Sequence, residues 1–171
     1  MKKGLSTVIA TVILILLTIV AVGIVWLAVK KIIEDPIGNV ESCFGIFDKV
    51  NLNNQYTCYN SSSHEFQFSI DIKDIEVDEL LISLSNPEAS KTLKISSKGS
   101  HYDYLKLYSS SSNYGNEVTL PGENEGLTYV IDASEFNLQN ITSIKIAPIM
   151  NQNQCEVSDS LLNIDNCALL T

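Results

Sequence analysis

Residues 5 to 29 read LSTVIATVILILLTIVAVGIVWLAV: 20 of these 25 positions are apolar and none carries a charge. A helix that crosses a bilayer needs ~18 to 20 such residues, and no later stretch of the chain approaches that number. The run therefore predicts a single long apolar helix and excludes multi-pass insertion. Outside it about 39% of residues are apolar, an ordinary composition for one soluble domain. A total of 171 residues leaves no room for a second large domain.

From Phe66 onward the apolar pattern alternates. Phe66, Phe68, Ile70 and Ile72 are separated by Gln67, Ser69 and Asp71, as in a half-buried strand. Leu80/Ile82/Leu84, Leu93/Ile95, Tyr102/Tyr104 with Leu105/Leu107, Val118/Leu120, Tyr129/Ile131 and Ile144/Ile146 repeat that period. Short strands at this density, with Asn113-Tyr114-Gly115-Asn116 and Pro121-Gly122 between them, predict an antiparallel sandwich. The serine run at 109–112 reads as a flexible hairpin connection. Residues 43–63 read as a polar connector and residues 155–167 as a C-terminal flap. The fold class expected is α+β, a single N-terminal apolar helix followed by an all-β antiparallel sandwich.

The helix should end near Glu34, since Pro36 disfavours helical geometry at Asp35 and Gly38 follows. This sets the helix at 5–35 and the β domain at 36–171. From Leu5 to Ile33 the helix would be about 43 Å long at ~1.5 Å per residue, more than the ~30 Å of a hydrocarbon core. Trp26 reads as an interfacial aromatic. Ser6/Ala10 and Thr7/Thr11 stand at i, i+4, a spacing of small residues that lets apolar helices approach closely, although hydroxyls in such helices also bond their own backbone.

All 20 carboxylates lie at Glu34 or beyond, whereas Lys2, Lys3, Lys30 and Lys31 flank the apolar window. The domain beyond carries seven lysines, and the chain has no arginine. So acidic a surface repels phosphate backbones and lacks the bidentate donor that reads them, which excludes nucleic acid as a partner. The even number of cysteines, Cys43, Cys58, Cys155 and Cys167, points to disulfides in an oxidising compartment. Short sequence separation makes Cys43 with Cys58 and Cys155 with Cys167 the easiest pairs to close. With no C-x-x-C pair, and with His64 and His101 away from any metal-ligand spacing, structural zinc is not expected.

The opening Met-Lys-Lys-Gly, joined directly to Leu5-Ser6-Thr7-Val8-Ile9-Ala10-Thr11, resembles the start of archaeal type IV pilin and archaellin precursors over residues 1 to 33. The resemblance implies a class III leader at 1–4 with Lys2 and Lys3 as its charges, cut between Gly4 and Leu5 by a prepilin peptidase. It implies a precursor held in the membrane with its N-terminus in the cytoplasm. The mature protein would then be exposed at the cell surface or built into a filament. The partners implied are other copies or other pilins, the peptidase, the pilus assembly machinery and, before assembly, the membrane. Bacterial relatives place a glutamate five residues into the mature chain, where this sequence has Ile9. Two other readings of the same segment stay open: a plain membrane anchor, and a signal peptide cut near Ala21-Val22-Gly23, for which the apolar run is longer than usual.

Asn60-Ser61-Ser62 and Asn140-Ile141-Thr142 fit the N-glycosylation acceptor pattern, and glycans on outer domains are frequent in the family resembled. The carboxylates Asp71, Asp74, Glu76, Asp78 and Glu79 could offer oxygen ligands to calcium, but read more simply as a solvated strand edge guarded by charge. No nucleophile elbow, Walker loop, dinucleotide fingerprint or zinc-protease motif is present, so neither an enzyme nor a cofactor is expected. The expected function is a structural filament subunit. The alternative is a monomeric membrane-anchored binding module, adhesin or lectin-like, for which Tyr102, Tyr104, Tyr108 and Tyr114 are the candidate platform.

Overall fold

The computed structural model describes residues 4–43, 45–109 and 111–167; the side chains of 4–8 and 32–42 lie outside that description. The chain divides into two compact units, Met1–Glu41 and Ser42–Thr171.

The first unit is one helix, α1, over Gly4–Cys43. It does not stop near Glu34. Pro36 lacks the amide that would bond the Ile32 carbonyl, a local cost of ~3 kcal/mol. Extending a formed helix adds one hydrogen bond per residue, however, and only a new nucleus is expensive. The 40 residues correspond to about 60 Å of helix. The expected boundary at 35/36 therefore moves to the division at Glu41 and Ser42.

Among the described residues, the second unit is built from twelve strands and one 3-10 turn. In order they are β1 (Val50–Leu52), the turn Asn54–Tyr56, β2 (Cys58–Asn60), β3 (Glu65–Ile72), β4 (Glu79–Ser85), β5 (Ser90–Ser96) and β6 (Ser100–His101). There follow β7 (Leu105–Leu107), β8 (Glu117–Val118), β9 (Glu125–Asp132), β10 (Ser143–Met150), β11 (Asn153–Gln154) and β12 (Asp159–Leu162). One sheet has the order β1-β3-β9-β7, with β2 also on β3; the other has the order β11-β10-β4-β5, with β12 also on β10. β6 and β8 form a small ribbon. All these pairings are antiparallel.

The alternating residues close the core as their period requires. Phe66, Phe68 and Ile70 from β3, Tyr129 and Ile131 from β9, Leu80, Ile82 and Leu84 from β4, and Ile144 and Ile146 from β10 all belong to one buried cluster. Phe66, Phe68 and Tyr129 stack in series at centroid distances of 5.7 and 5.2 Å. Tyr129 also donates its hydroxyl to the Thr119 carbonyl at 2.6 Å, which satisfies its one buried polar atom. This is the sandwich that the alternation predicts.

Three expectations about its parts are corrected. The supposed connector holds β1 and β2, which together form one interrupted strand along β3, with Val50 opposite Ile72 and Cys58 opposite Gln67. The supposed flap holds β12, paired with β10 from Ser143↔Leu162 to Ile146↔Asp159. Conversely, Tyr102 to Tyr104 is not a continuous strand. It is a turn between β6 and β7, closed by the Leu105 amide donating to the Tyr102 carbonyl at 3.1 Å. The serine run lies in the loop after β7, and Ser110 is outside the described residues.

Candidate functional site

The apolar segment of α1 is the largest unsatisfied surface in the described chain. Residues 9–31 are all exposed, with the large apolar side chains from Ile9 to Val29 between 41% and 69% accessible. By length and composition Ile9–Lys31 is capable of crossing a membrane. In the β unit, by contrast, the core-facing apolar side chains of the long strands, such as Phe66, Phe68, Leu80, Ile82, Ile131 and Ile144, fall to zero accessibility. Thr18 donates to the Ile15 carbonyl at 2.8 Å, so this hydroxyl is satisfied by its own helix and costs nothing in an apolar surrounding. Ala10 and Thr11 are exposed on the helix surface. Gly4 and Leu5 are its first two residues, their side chains outside the description, and Lys2 and Lys3 lie outside the described residues.

The four cysteines pair, but not locally. Cys43 bonds Cys155 and Cys58 bonds Cys167, across sequence separations of 112 and 109. The expected local pairs yield because the β unit brings its two ends together. The Tyr59 amide donates to the Asp165 carbonyl at 2.9 Å, Tyr59 forms a parallel bridge with Asn166, and the Leu52 amide donates to Asp159 Oδ2 at 2.8 Å. The last segment thus runs beside β1 and β2 and places Cys167 next to Cys58. Disulfides of this kind, together with a helix capable of spanning a membrane, fit a membrane-anchored protein whose folded unit faces an oxidising space.

Asn60 ends β2 and is half-buried, its Oδ1 accepting from the Ser62 and Ser63 amides at 2.9 and 3.2 Å. Asn140 is exposed in the loop before β10, in the left-handed region at φ 52°. Both acceptor sites are thus on turns, Asn140 the more accessible.

The acidic stretch is not one strand edge. Asp71 sits within β3 and accepts from Asn53 Nδ2 at 3.2 Å; Asp74 pairs with Lys49; Asp78 accepts the Asn151 amide at 2.7 Å; Glu79 faces Lys94 at 3.8 Å. These four carboxylates have separate partners in different places, and among the described residues no group of three or more His, Cys, Asp or Glu could hold a metal ion.

The four candidate tyrosines also separate. Tyr102 stacks on Tyr104 at 5.2 Å, and Tyr104 tilts against Phe136 at 4.9 Å. Tyr114 donates to Glu65 Oε1 at 2.7 Å and carries Lys106 Nζ over its ring at 4.2 Å, while Lys106 also reaches Glu65 at 3.3 Å. Burial pushes the Glu65 carboxyl up, but the hydrogen bonds from Tyr114 and Lys106, the charge of Lys106 and the hydrogen bond from Ser63 outweigh it and hold Glu65 below its ordinary value. Only Tyr108 remains largely free, at 68% accessibility. Its free counterpart is Tyr56, exposed at the end of the 3-10 turn. Tyr56 lies in a polar segment without periodicity, so no sequence signal marks it.

Compared with protein-family models, with curated proteins and with solved structures, the chain matches none.

Proposed function

We propose that this chain is the structural subunit of a surface filament of the archaeal type IV pilus kind, cut by a prepilin peptidase between Gly4 and Leu5 and assembled through its helix. The observation that carries the reading is α1 itself: 40 residues without a break, about twice the ~30 Å of a hydrocarbon core, with every residue from 9 to 31 exposed. A plain anchor needs only the membrane-spanning half. A helix this long, uncharged and mostly apolar from Leu5 to Val29, is suited to exchanging lipid for neighbouring copies. Dispersion and close approach at small residues such as Ala10 then supply the attraction. The acidic β unit faces solvent and keeps the filament soluble. The partners are other copies, the peptidase, the assembly machinery and, before assembly, the membrane.

The test is to express the chain in a pilus-bearing archaeal host, measure the intact mass of the surface form and image the cell surface by electron microscopy. A mature chain that begins at Leu5, recovered in filaments, is the expected result. A chain beginning at Met1 and found only as membrane monomers supports the plain anchor, and one beginning at Ile24 supports an ordinary signal peptide.

A further inference from the structure

We propose that the outer face of the first sheet carries a binding trough for a neutral oligosaccharide, rimmed by Tyr56 and Tyr108. The trough encloses about 380 Å³, within the ~300 to 1,000 Å³ of small-ligand clefts. The register of β3 on β9 builds its floor. Ser69 lies opposite Thr128 and Asp71 opposite Gly126, so two successive rungs of the outward face carry small or short side chains. Tyr108 follows β7 directly, its amide donating to the Thr128 carbonyl at 2.8 Å, and so stands at one end of the Ser69 and Thr128 rung. Tyr56 stands at the other, just before β2, and its carbonyl accepts from Gln67 Nε2 at 3.3 Å. From β2 across β3 and β9 to β7 is three strand spacings, roughly 14 Å, the length of a short oligosaccharide.

The chemistry of the lining selects the ligand class. Exposed tyrosines at both ends offer flat faces to the C–H side of sugar rings. Between them the lining is hydroxyl, amide and carboxylate, which suits a ligand that presents both donors and acceptors. Gln67, Asp71 and Thr128 each spend only a fraction of their hydrogen-bonding capacity on neighbours. A proline-rich peptide would need apolar slots between the aromatics, and this floor has none. An anionic sugar is disfavoured by Asp71 and by a chain of net charge −9. Gly126 keeps the floor open: a Cβ there would crowd Asp71 Oδ1, so the carboxylate would have to shift.

The inference does not depend on assembly, because the trough lies within one copy. Titration calorimetry and saturation-transfer NMR on the full chain, dispersed in a zwitterionic detergent that contains no sugar, test it with maltotriose, mannotriose and tri-N-acetylchitotriose as probes. At least one probe should bind. Tyr108→Ala and Tyr56→Ala should each weaken it about tenfold, the scale of a lost aromatic contact. Tyr108→Phe should retain binding, Gly126→Ala should weaken it and Lys98→Ala should leave it unchanged. Both tyrosines are exposed, so their loss leaves the core intact, and near-ultraviolet circular dichroism confirms that each variant is folded. Three results would overturn the proposal: no binding of any probe by the folded chain, binding insensitive to both tyrosines, or displacement of the sugar by a proline-rich peptide that binds more tightly.

Discussion

Ile, Leu and Val make up 20 of the 40 residues of α1 and 31 of the 130 residues of the β unit, yet the richer region leaves these side chains exposed and the poorer one hides most of them. Ile13 is 57% accessible and Leu17 66%, whereas Ile82 and Leu84 are at 0%. The difference lies in periodicity. A strand whose apolar residues alternate needs only one apolar partner, and the two sheets supply it to each other. A helix apolar on all sides cannot be satisfied by a partner on one face, so its surface must be met by lipid or by several other helices. The β unit is therefore complete as a folded body, and the helix is complete only in company.

Removing residues 5–41 should break the comparison most sharply. The remaining unit should stay a soluble monomer with both disulfides, seen by size exclusion and circular dichroism, while membrane association and assembly disappear altogether. Ala10→Lys should produce nearly the same loss of assembly by a single charge, since an unpaired ammonium among apolar helices costs several kcal/mol. The melting midpoint of the β unit should not move, and membrane insertion must be assayed separately.

Within the β unit the effects are smaller and graded. Replacing Cys58 and Cys167 by serine releases a loop closed over a separation of 109 residues, a loss of up to about 4.7 kcal/mol on the chain-entropy account. Replacing Cys43 and Cys155 should cost a similar amount, and local pairing would have made both losses smaller. Thermal melts with and without reductant read this out.

The smallest effect is electrostatic. Glu65 is held below its ordinary value of 4.5 in the folded state, so its contribution is fully present above that value and fades as pH falls through its folded value. The group is partly exposed and screened, so Glu65→Gln should remove well under ~1 kcal/mol near neutrality. The same change should flatten the stability curve below about pH 4.5.

The strands whose apolar residues alternate over several positions were legible from sequence, as β3, β4 and β10 illustrate. β1 and β12 were not, because three or four residues cannot display a period and their pairing is imposed by β3 and β10. Pro36 misled about the helix end because its penalty is local while helix propagation is cooperative. The disulfides misled because loop-closure cost ranks pairs in an unfolded chain, whereas the folded unit places the C-terminal segment beside β2. The candidate tyrosines were chosen by residue type alone. Packing withdraws Tyr102, Tyr104 and Tyr114 into contacts with Phe136, Glu65 and Lys106, and leaves Tyr56, in a segment without periodicity, exposed on the same trough as Tyr108.

Cysteine cross-linking along α1 tests the central claim, that the helix is completed by several copies of itself, most directly. Ala10 and Val12 are two residues apart and so face nearly opposite sides of the helix. With cysteine at both positions, mild oxidation of the native surface fraction should yield a ladder of covalent oligomers extending well past the dimer. Monomers alone, or dimers with nothing larger, would contradict the account and leave α1 as a membrane anchor.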